Sequence, residues 1–344
     1  MKVKILTDIF LDSFLEEEID LLWHTIEGKH DWIIEDSDTY ETIIQSSWYS
    51  NISLTKKKAI DDFMTFALQM SKSHQIVISN SSTDYFSIRE AIKYLEQPFS
   101  LIIENKLNDA PFFDSLIKHF PKQSEKIKKH KAERWFKYDM GGGSTIIHNL
   151  RAEMRSFEGA IYKKHASEYL RCFVLIDSDR SFPNDELKIE TKMLIDFLNR
   201  CKISFHILEK REMENYLPDE AFSEIADNRE FVDAFLNLSP VQKDYFDLEK
   251  GFVDKRFEQF RGEIQELYLS VPDKDRTIFR KQALASINGN EDNFKSDFPK
   301  LFQTVKVNRE NLLARCAHHS NDSNIHPYNP NELPELLIQI SSLL

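Results

Sequence analysis

The chain has 344 residues, 41% of them hydrophobic and 30% charged, with a formal net charge of −12. That composition excludes a disordered chain, and the acidic balance sets it apart from proteins that hold nucleic acid by overall charge. Cys172, Cys201 and Cys316 make no disulfide framework, no apolar run reaches the ~20 residues that span a bilayer, and the opening MKVKILTDIFLDSF lacks a signal pattern; a soluble cytoplasmic protein without membrane contact is expected.

Residues 1–97 read as a mostly helical region. FLEEEIDLLWHTI and SLTKKKAIDDFMTFALQM carry apolar residues at helical spacing, with Ser53 or Thr55 placed to cap the second. QIVISN (75–80) reads as a short strand, and SIREAIKYLE (87–96) as a helix that stops before Pro98. Trp23, Trp32, Trp48 and Trp135 read as core or partner-contact residues.

Residues 98–220 alternate between strand and helix. FSLIIE (99–104), RWFKYD (134–139), RCFVLID (171–177) and ISFHILE (203–209) read as strands. APFFDSLIKHF, TIIHNLRAEMRSFEGAIYKKH and NDELKIETKMLIDFLNRC read as the helices between them, the last with Asn184 as cap. Strands apolar along their whole length and separated by helices predict an α/β fold: a mostly parallel, Rossmann-like four-stranded sheet covered on both faces. In such sheets ligands gather at the carboxyl ends of the strands. Glu104, the Gly141–Gly142–Gly143 turn, Asp177, Asp179 and Glu209 all fall there. From 221 to 344 the pattern is helical again, in EFVDAFLNL, FVDKRFEQFRGEIQELYLS and RTIFRKQALASI, with a polar loop before a final helix.

Asp177-x-Asp179 at a strand tip supplies hard oxygen donors of the kind Mg²⁺ takes, one or two per ion beside water and substrate phosphate. Alone, such a pair often only caps the next helix. Glu104 ends a neighbouring buried strand, and in GGGS, Gly141, Gly142, Gly143 and Ser144 form a turn whose bare backbone can approach phosphate. The run KHFPKQSEKIKKHKAERWFK concentrates positive charge, in Lys126, Lys128, Lys129 and Lys131, and reads either as a phosphate-backbone groove or as a solvated helix face. Cys316, His318, His319 and His326 match no familiar zinc spacing.

The order Glu, glycine turn, Asp-x-Asp on successive strands resembles the Toprim domain. LIIENKLNDAPFF, KYDMGGGSTI and VLIDSDR sit in the family's three motif positions, and LEKREMENYLP is similar to the Glu-Asn-Tyr-Leu signature of OLD-like, phage-defence nucleases. The resemblance covers roughly residues 98–220. It implies a metal-dependent nuclease acting on DNA or RNA, tRNA among the substrates, with one or two Mg²⁺ or Mn²⁺ ions. Asp177 and Asp179 would be metal ligands, and Glu104 a ligand or general base. The family's second acid falls at Asn108 here, which puts that ligand in doubt and makes Asp109 the candidate; Glu212 and Glu214 are candidates for a second ion. Arg180, Arg211 and Lys250 are candidate cations for the phosphate, and Tyr216 is read as packing beneath the site. OLD nucleases carry a fused ATPase. This chain has no G-x-x-x-x-G-K-[ST] loop, so the resemblance implies an anti-phage, abortive-infection effector controlled by a separate ATPase, with a homodimer compatible. The alternatives are a non-catalytic Toprim-fold adaptor that binds a protein partner, or another Asp-x-Asp phosphotransfer enzyme.

Overall fold

A computed structural model describes residues 1–34, 36–67, 75–142, 145–159, 161–225, 228–252, 256–281, 294–316 and 331–344. Gly143, Ser144, His318, His319 and His326 lie outside the described residues, as does the Cys316 side chain.

The first region is helical over most of its length, and it also holds a small sheet that the sequence did not announce as such. Strands β1 (Lys2–Ile5), β2 (Asp31–Ile33) and β3 (Gln75–Ile78) make a parallel sheet in the order β2-β1-β3. KVKI alternates half-buried lysine with buried Val3 and Ile5, the period-2 pattern of a strand with one better-covered face. β3 is the strand read at 75–80, whereas the three and four residues of β2 and β1 are too short to register in the window where periodicity is read. Helices Glu16–Ile26 and Ile88–Glu96 pack over the sheet, and Phe10, Trp23, Trp32 and Trp48 share one core. Ser87 caps the second of these helices through a reciprocal box with Glu90, and Ser53 Oγ accepts from Lys56 N–H at the start of Leu54–Ala67.

The second sheet contains β4 (Phe99–Ile103), β5 (Phe136–Met140), β6 (Cys172–Ile176) and β7 (Ser204–Ile207), all parallel, in the order β5-β4-β6-β7. Both faces are covered. Phe99, Leu101, Ile103, Phe173 and Leu175 face one core, while Ile102, Val174 and Ile176 face another built with Ile146, Leu150, Leu194 and Leu198. The first of these cores continues without a break through Phe222, Phe246, Phe279 and Phe302 to Leu344, so the helices after residue 220 pack on the sheet itself.

Four helices depart from their expected bounds. The one after β4 begins at Lys106, a turn earlier than expected, which brings Asp109 into its first turn. The one after β5 ends at Arg155 rather than running to 165. The one after β6 begins at Ile189, and Asn184 does not cap it; Asp185 instead accepts from Ser181 N–H (3.0 Å) and pairs with Arg261 (2.8 Å), which holds residues 181–188 out of the helix. The expected 252–270 helix is a short 3-10 turn at Phe257–Gln259 followed by Gly262–Tyr268.

Candidate active site

The central strands β4 and β6 are neighbours, and their carboxyl ends carry Glu104 and Asp177. Asn105 caps the following helix by accepting from Leu107 N–H (3.0 Å), while Asp109 Oδ2 accepts from Asn105 N–H (2.7 Å). An acid at a helix N-terminus is favoured by the dipole, and here it also anchors a buried carboxylate beside Glu104. Gly141 follows the end of β5, and its N–H bonds Ile103 O (3.0 Å). A Cβ on Gly141 would stand 2.6 Å from Ile146 Cγ1, so this glycine is demanded by the close approach of the next helix. At Gly142 a Cβ would meet Glu104 O at 3.7 Å, an ordinary contact that places the turn next to the acid.

At the tip of β6, Ser178 is buried and its Oγ donates to Lys210 O (2.6 Å). Asp179 adopts φ +55° and its N–H bonds Arg211 O (2.9 Å). A left-handed aspartate is tolerated because the short side chain satisfies itself locally. The loop after β7 is thereby stitched to the Asp-x-Asp turn, and it delivers Glu212 and Glu214, both buried.

These placements converge on Asp177. Burial pushes its carboxyl well above the ordinary range, and the charges of Glu104, Asp109, Glu212 and Glu214 push it further. Its Oδ1 is buried without a hydrogen-bond partner. Five carboxylates within electrostatic reach of one another are costly unless a cation or a shared proton compensates them. The donor set is all oxygen, which suits Mg²⁺ or Mn²⁺. Among the described residues no three acid, histidine or cysteine side chains are gathered into one coordination sphere as they stand. Mg²⁺ does not need three, since it keeps water and substrate oxygens in most positions.

Asp179 is turned to another side. It pairs with Lys188 (2.8 Å), and its charge, with those of Asp247 and Glu212, raises the proton affinity of Arg211 against the pull of burial. Arg211 Nη2 bonds Asp247 (2.8 Å) and Nη1 donates to Ser181 Oγ (3.2 Å), so this guanidinium braces the two loops. Arg180 differs, with a buried Nε that has no partner. Lys250 is exposed in the turn whose N–H bonds Asp247 Oδ1 (2.8 Å), beside the Arg211 pair.

The basic run lies elsewhere. Helix Glu125–Ala132 leads into β5 and therefore sits at the amino edge of the sheet. Lys126 pairs with Asp31 (3.5 Å), Lys129 donates to Gly28 O (2.7 Å), and Lys131 pairs with Asp114. Lys128 is exposed on the same helix. Of the lysines read as a groove or a solvated face, Lys126, Lys129 and Lys131 tie this helix to the first sheet region and to the Lys106–His119 helix, away from the acids.

Several residues that hold the site carried no local signal. Tyr216 is buried, as expected, and its hydroxyl donates to Glu332 (2.6 Å) while accepting from the N–H groups of Glu209 and Lys210. Glu332 also receives Glu209 N–H (3.0 Å) and His206 Nε2 (2.9 Å). Lys210, Asp244 and Arg315 form a buried cluster, with both cations 2.8 Å from Asp244. Glu332, read from the sequence as part of the polar loop before the last helix, opens that helix, and Asp244 and Arg315 lie in helices the sequence reading did not single out; only the tertiary fold reveals them as buried. No protein-family model matches the chain, and neither a curated protein nor a solved structure matches it.

Proposed function

We propose that the chain is a Toprim-type, Mg²⁺- or Mn²⁺-dependent nuclease that hydrolyses phosphodiester bonds of DNA or RNA. The observation that supports this reading best is the convergence of Glu104, Asp109, Glu212 and Glu214 on a buried Asp177 at the carboxyl edge of a parallel sheet. Asp177 and Glu104 are the first pair to hold an ion, with Glu212 and Glu214 as the second pair. A bound divalent ion would neutralise the phosphate and make water more acidic. Glu104 would serve either as a ligand of that ion or, in its place, as the general base that takes the proton of the attacking water. Arg180, with an unpaired buried Nε, meets the phosphate, and exposed Lys250 is a second candidate cation; Arg211 holds the loops in register. The role of toxic effector in phage defence, released by a separate ATPase, rests on the E-N-Y-L resemblance and on the lack of a phosphate-binding loop in this chain.

The test is incubation of the purified protein with Mn²⁺ or Mg²⁺ and plasmid, single-stranded DNA or total tRNA. Cleavage is expected to fall to background in Asp177→Ala and in Glu104→Ala, with the fold intact by circular dichroism. Cleavage retained in both variants would falsify the proposal. The Asp179–Lys188 pair favours a second reading, an adaptor in which that aspartate already has its cation. A Mg²⁺ titration by calorimetry separates the two, since an adaptor gives no specific heat of binding.

A further inference from the structure

The Thr145–Arg155 and Ile189–Cys201 helices lie side by side on one face of the second sheet, where Ile146, Leu150, Leu194, Phe197 and Leu198 share a core. Both start at the acidic edge. Thr145 N–H bonds the carbonyl of Gly142 (2.8 Å), the glycine beside Glu104 O, and Lys188, which precedes the second helix, pairs with Asp179 (2.8 Å). Each helix returns the chain from the carboxyl to the amino edge between two parallel strands, so the furrow between them opens at the acids.

The first helix carries its positive charge on one flank. His148, Arg151 and Arg155 fall within about 60° of one another round the axis, and all three are exposed. Arg151 lies over the Phe197 ring, 5.4 Å from its centroid, so this flank faces the second helix. Glu153 is about 140° or more round the helix from all three, and it lines the cavity that holds Lys137 and Asp139. Among the described residues neither Arg151 nor Arg155 pairs with a carboxylate. The cations of the second helix are more committed: Lys188 pairs with Asp179, Lys192 with Glu186, and Arg200 has Asp196 one turn before it. Glu190 stands in that helix's first turn, so the unopposed charge of the furrow is that of Arg151 and Arg155. In a chain of net charge −12 this is a local reversal of sign.

The opposite bank is apolar. Ile189 (72% exposed) and Met193 (59% exposed) stand one turn apart and lead down to Phe197, the ring under Arg151. Exposed aliphatic side chains of this size gain nothing from a duplex, which stacks its bases inside and presents phosphate and sugar. A single strand offers unstacked base faces beside its phosphates, and such strands are held where a cationic track runs along an apolar platform.

We propose that this furrow seats single-stranded nucleic acid, with phosphates on Arg151 and Arg155 and unstacked bases against Ile189 and Met193, and that it leads the strand to the acids. The inference rests on the nuclease reading for the fate of the strand, and it names the substrate class of that site: single strands rather than duplexes.

The test is fluorescence anisotropy on the full-length chain in EDTA, which prevents metal-dependent cleavage. The probes are a labelled DNA strand of about 20 nucleotides, longer than one single-strand site, the same sequence as RNA, and the DNA duplex. At least one single strand should bind about tenfold or more tighter than the duplex. Arg151→Gln with Arg155→Gln should weaken that binding about tenfold and reduce the salt slope by about 1.4, two phosphate contacts at about 0.7 each. Ile189→Ser with Met193→Ser should weaken it about fivefold or more and leave the salt slope unchanged, a split that a purely electrostatic surface would not give. All four side chains are exposed, and circular dichroism checks that both variants keep the fold. Equal affinity for the duplex, an unchanged salt slope in the arginine variant, or unchanged affinity in the Ile189 and Met193 variant would each overturn the assignment. Binding in EDTA reads the furrow, and cleavage with Mn²⁺ reads the acids. A chain that cleaves but fails these binding tests keeps the nuclease reading and loses the furrow; a chain that cleaves no nucleic acid loses the nuclease reading and, with it, the claim that the bound strand is a substrate.

Discussion

Asp177→Asn tests the electrostatics of the acidic edge directly. In the folded protein the Asp177 carboxyl holds its proton to a higher pH than in the unfolded chain, because burial and four neighbouring carboxylates disfavour its charge. Rising pH therefore favours the unfolded state. The loss begins as pH passes the ordinary carboxylate value near 3.9 and ends once Asp177 is ionised in the fold. Each pH unit in that window removes about 1.4 kcal/mol, equivalent to about 2 °C or more in Tm for a chain of this size. Asparagine has no such charge. The variant should match the wild-type chain at the acid end, gain on it steadily through the window and stay ahead by a constant amount above it. Thermal melts of both proteins in EDTA across a pH series measure this, and excess Mg²⁺ should close the gap by stabilising only the chain that retains the carboxylate. A pH-independent difference, or an Asp177→Asn protein less stable than wild type at neutral pH, would refute the argument that these five acids share one field.

Other perturbations probe the supports. Asp244→Ala strips the counter-ion from Lys210 and Arg315, all three being buried, and should cost about 3–5 kcal/mol in urea unfolding; a loss below about 1 kcal/mol would show the cluster to be dispensable. Lys126→Ala with Lys129→Ala should leave nucleic-acid affinity and its salt slope unchanged, whereas Arg180→Ala should lower the slope by about one phosphate contact, as read by fluorescence anisotropy over a salt series. Gly141→Ala drives a methyl into Ile146 at 2.6 Å and should lower stability by about 1–3 kcal/mol, with partial recovery when Ile146→Val is added.

The parallel sheet was legible because its central strands are apolar at every position but the buried Ser100, and β4 and β6 begin and end within a residue or two of FSLIIE and RCFVLID. The acids at their tips were legible for the same reason: a charged residue that ends a buried run is displaced to the strand end. β1 and β2 were not, since KVKI and DWI are shorter than any reliable period. The basic run was misplaced by judging proximity along the chain. A segment that feeds into a parallel strand lies at its amino end, the opposite edge from the acids, and Lys126 and Lys129 follow that connectivity to Asp31 and Gly28. Asp179 pairs with Lys188, nine residues on, because the intervening stretch stays out of the helix, a consequence of Asp185 bonding to Ser181 and Arg261 that no spacing rule anticipates.

The segment Glu212–Leu217 shows what the helices after residue 220 contribute. Of its polar side chains, Glu212 and Glu214 reach the field of Asp177; Asn215 and Tyr216 are spent on anchoring. Asn215 donates to Lys243 O (2.8 Å) and Phe246 O (2.9 Å), Tyr216 donates to Glu332, and the Asn215 carbonyl accepts from Arg315. The partners in these four bonds, Lys243, Phe246, Glu332 and Arg315, all lie beyond residue 240. A loop that carries two buried acids toward three others would be expelled by their repulsion if it were held only by its own short 3-10 turn at Met213–Tyr216. Buried networks of this kind are favourable only when every member is satisfied, so removing one partner costs far more than its own bond. The acids at the sheet edge and the docking of the C-terminal helices are therefore one cooperative structure: the edge can hold its charge only while Asp244, Arg315 and Glu332 are in place.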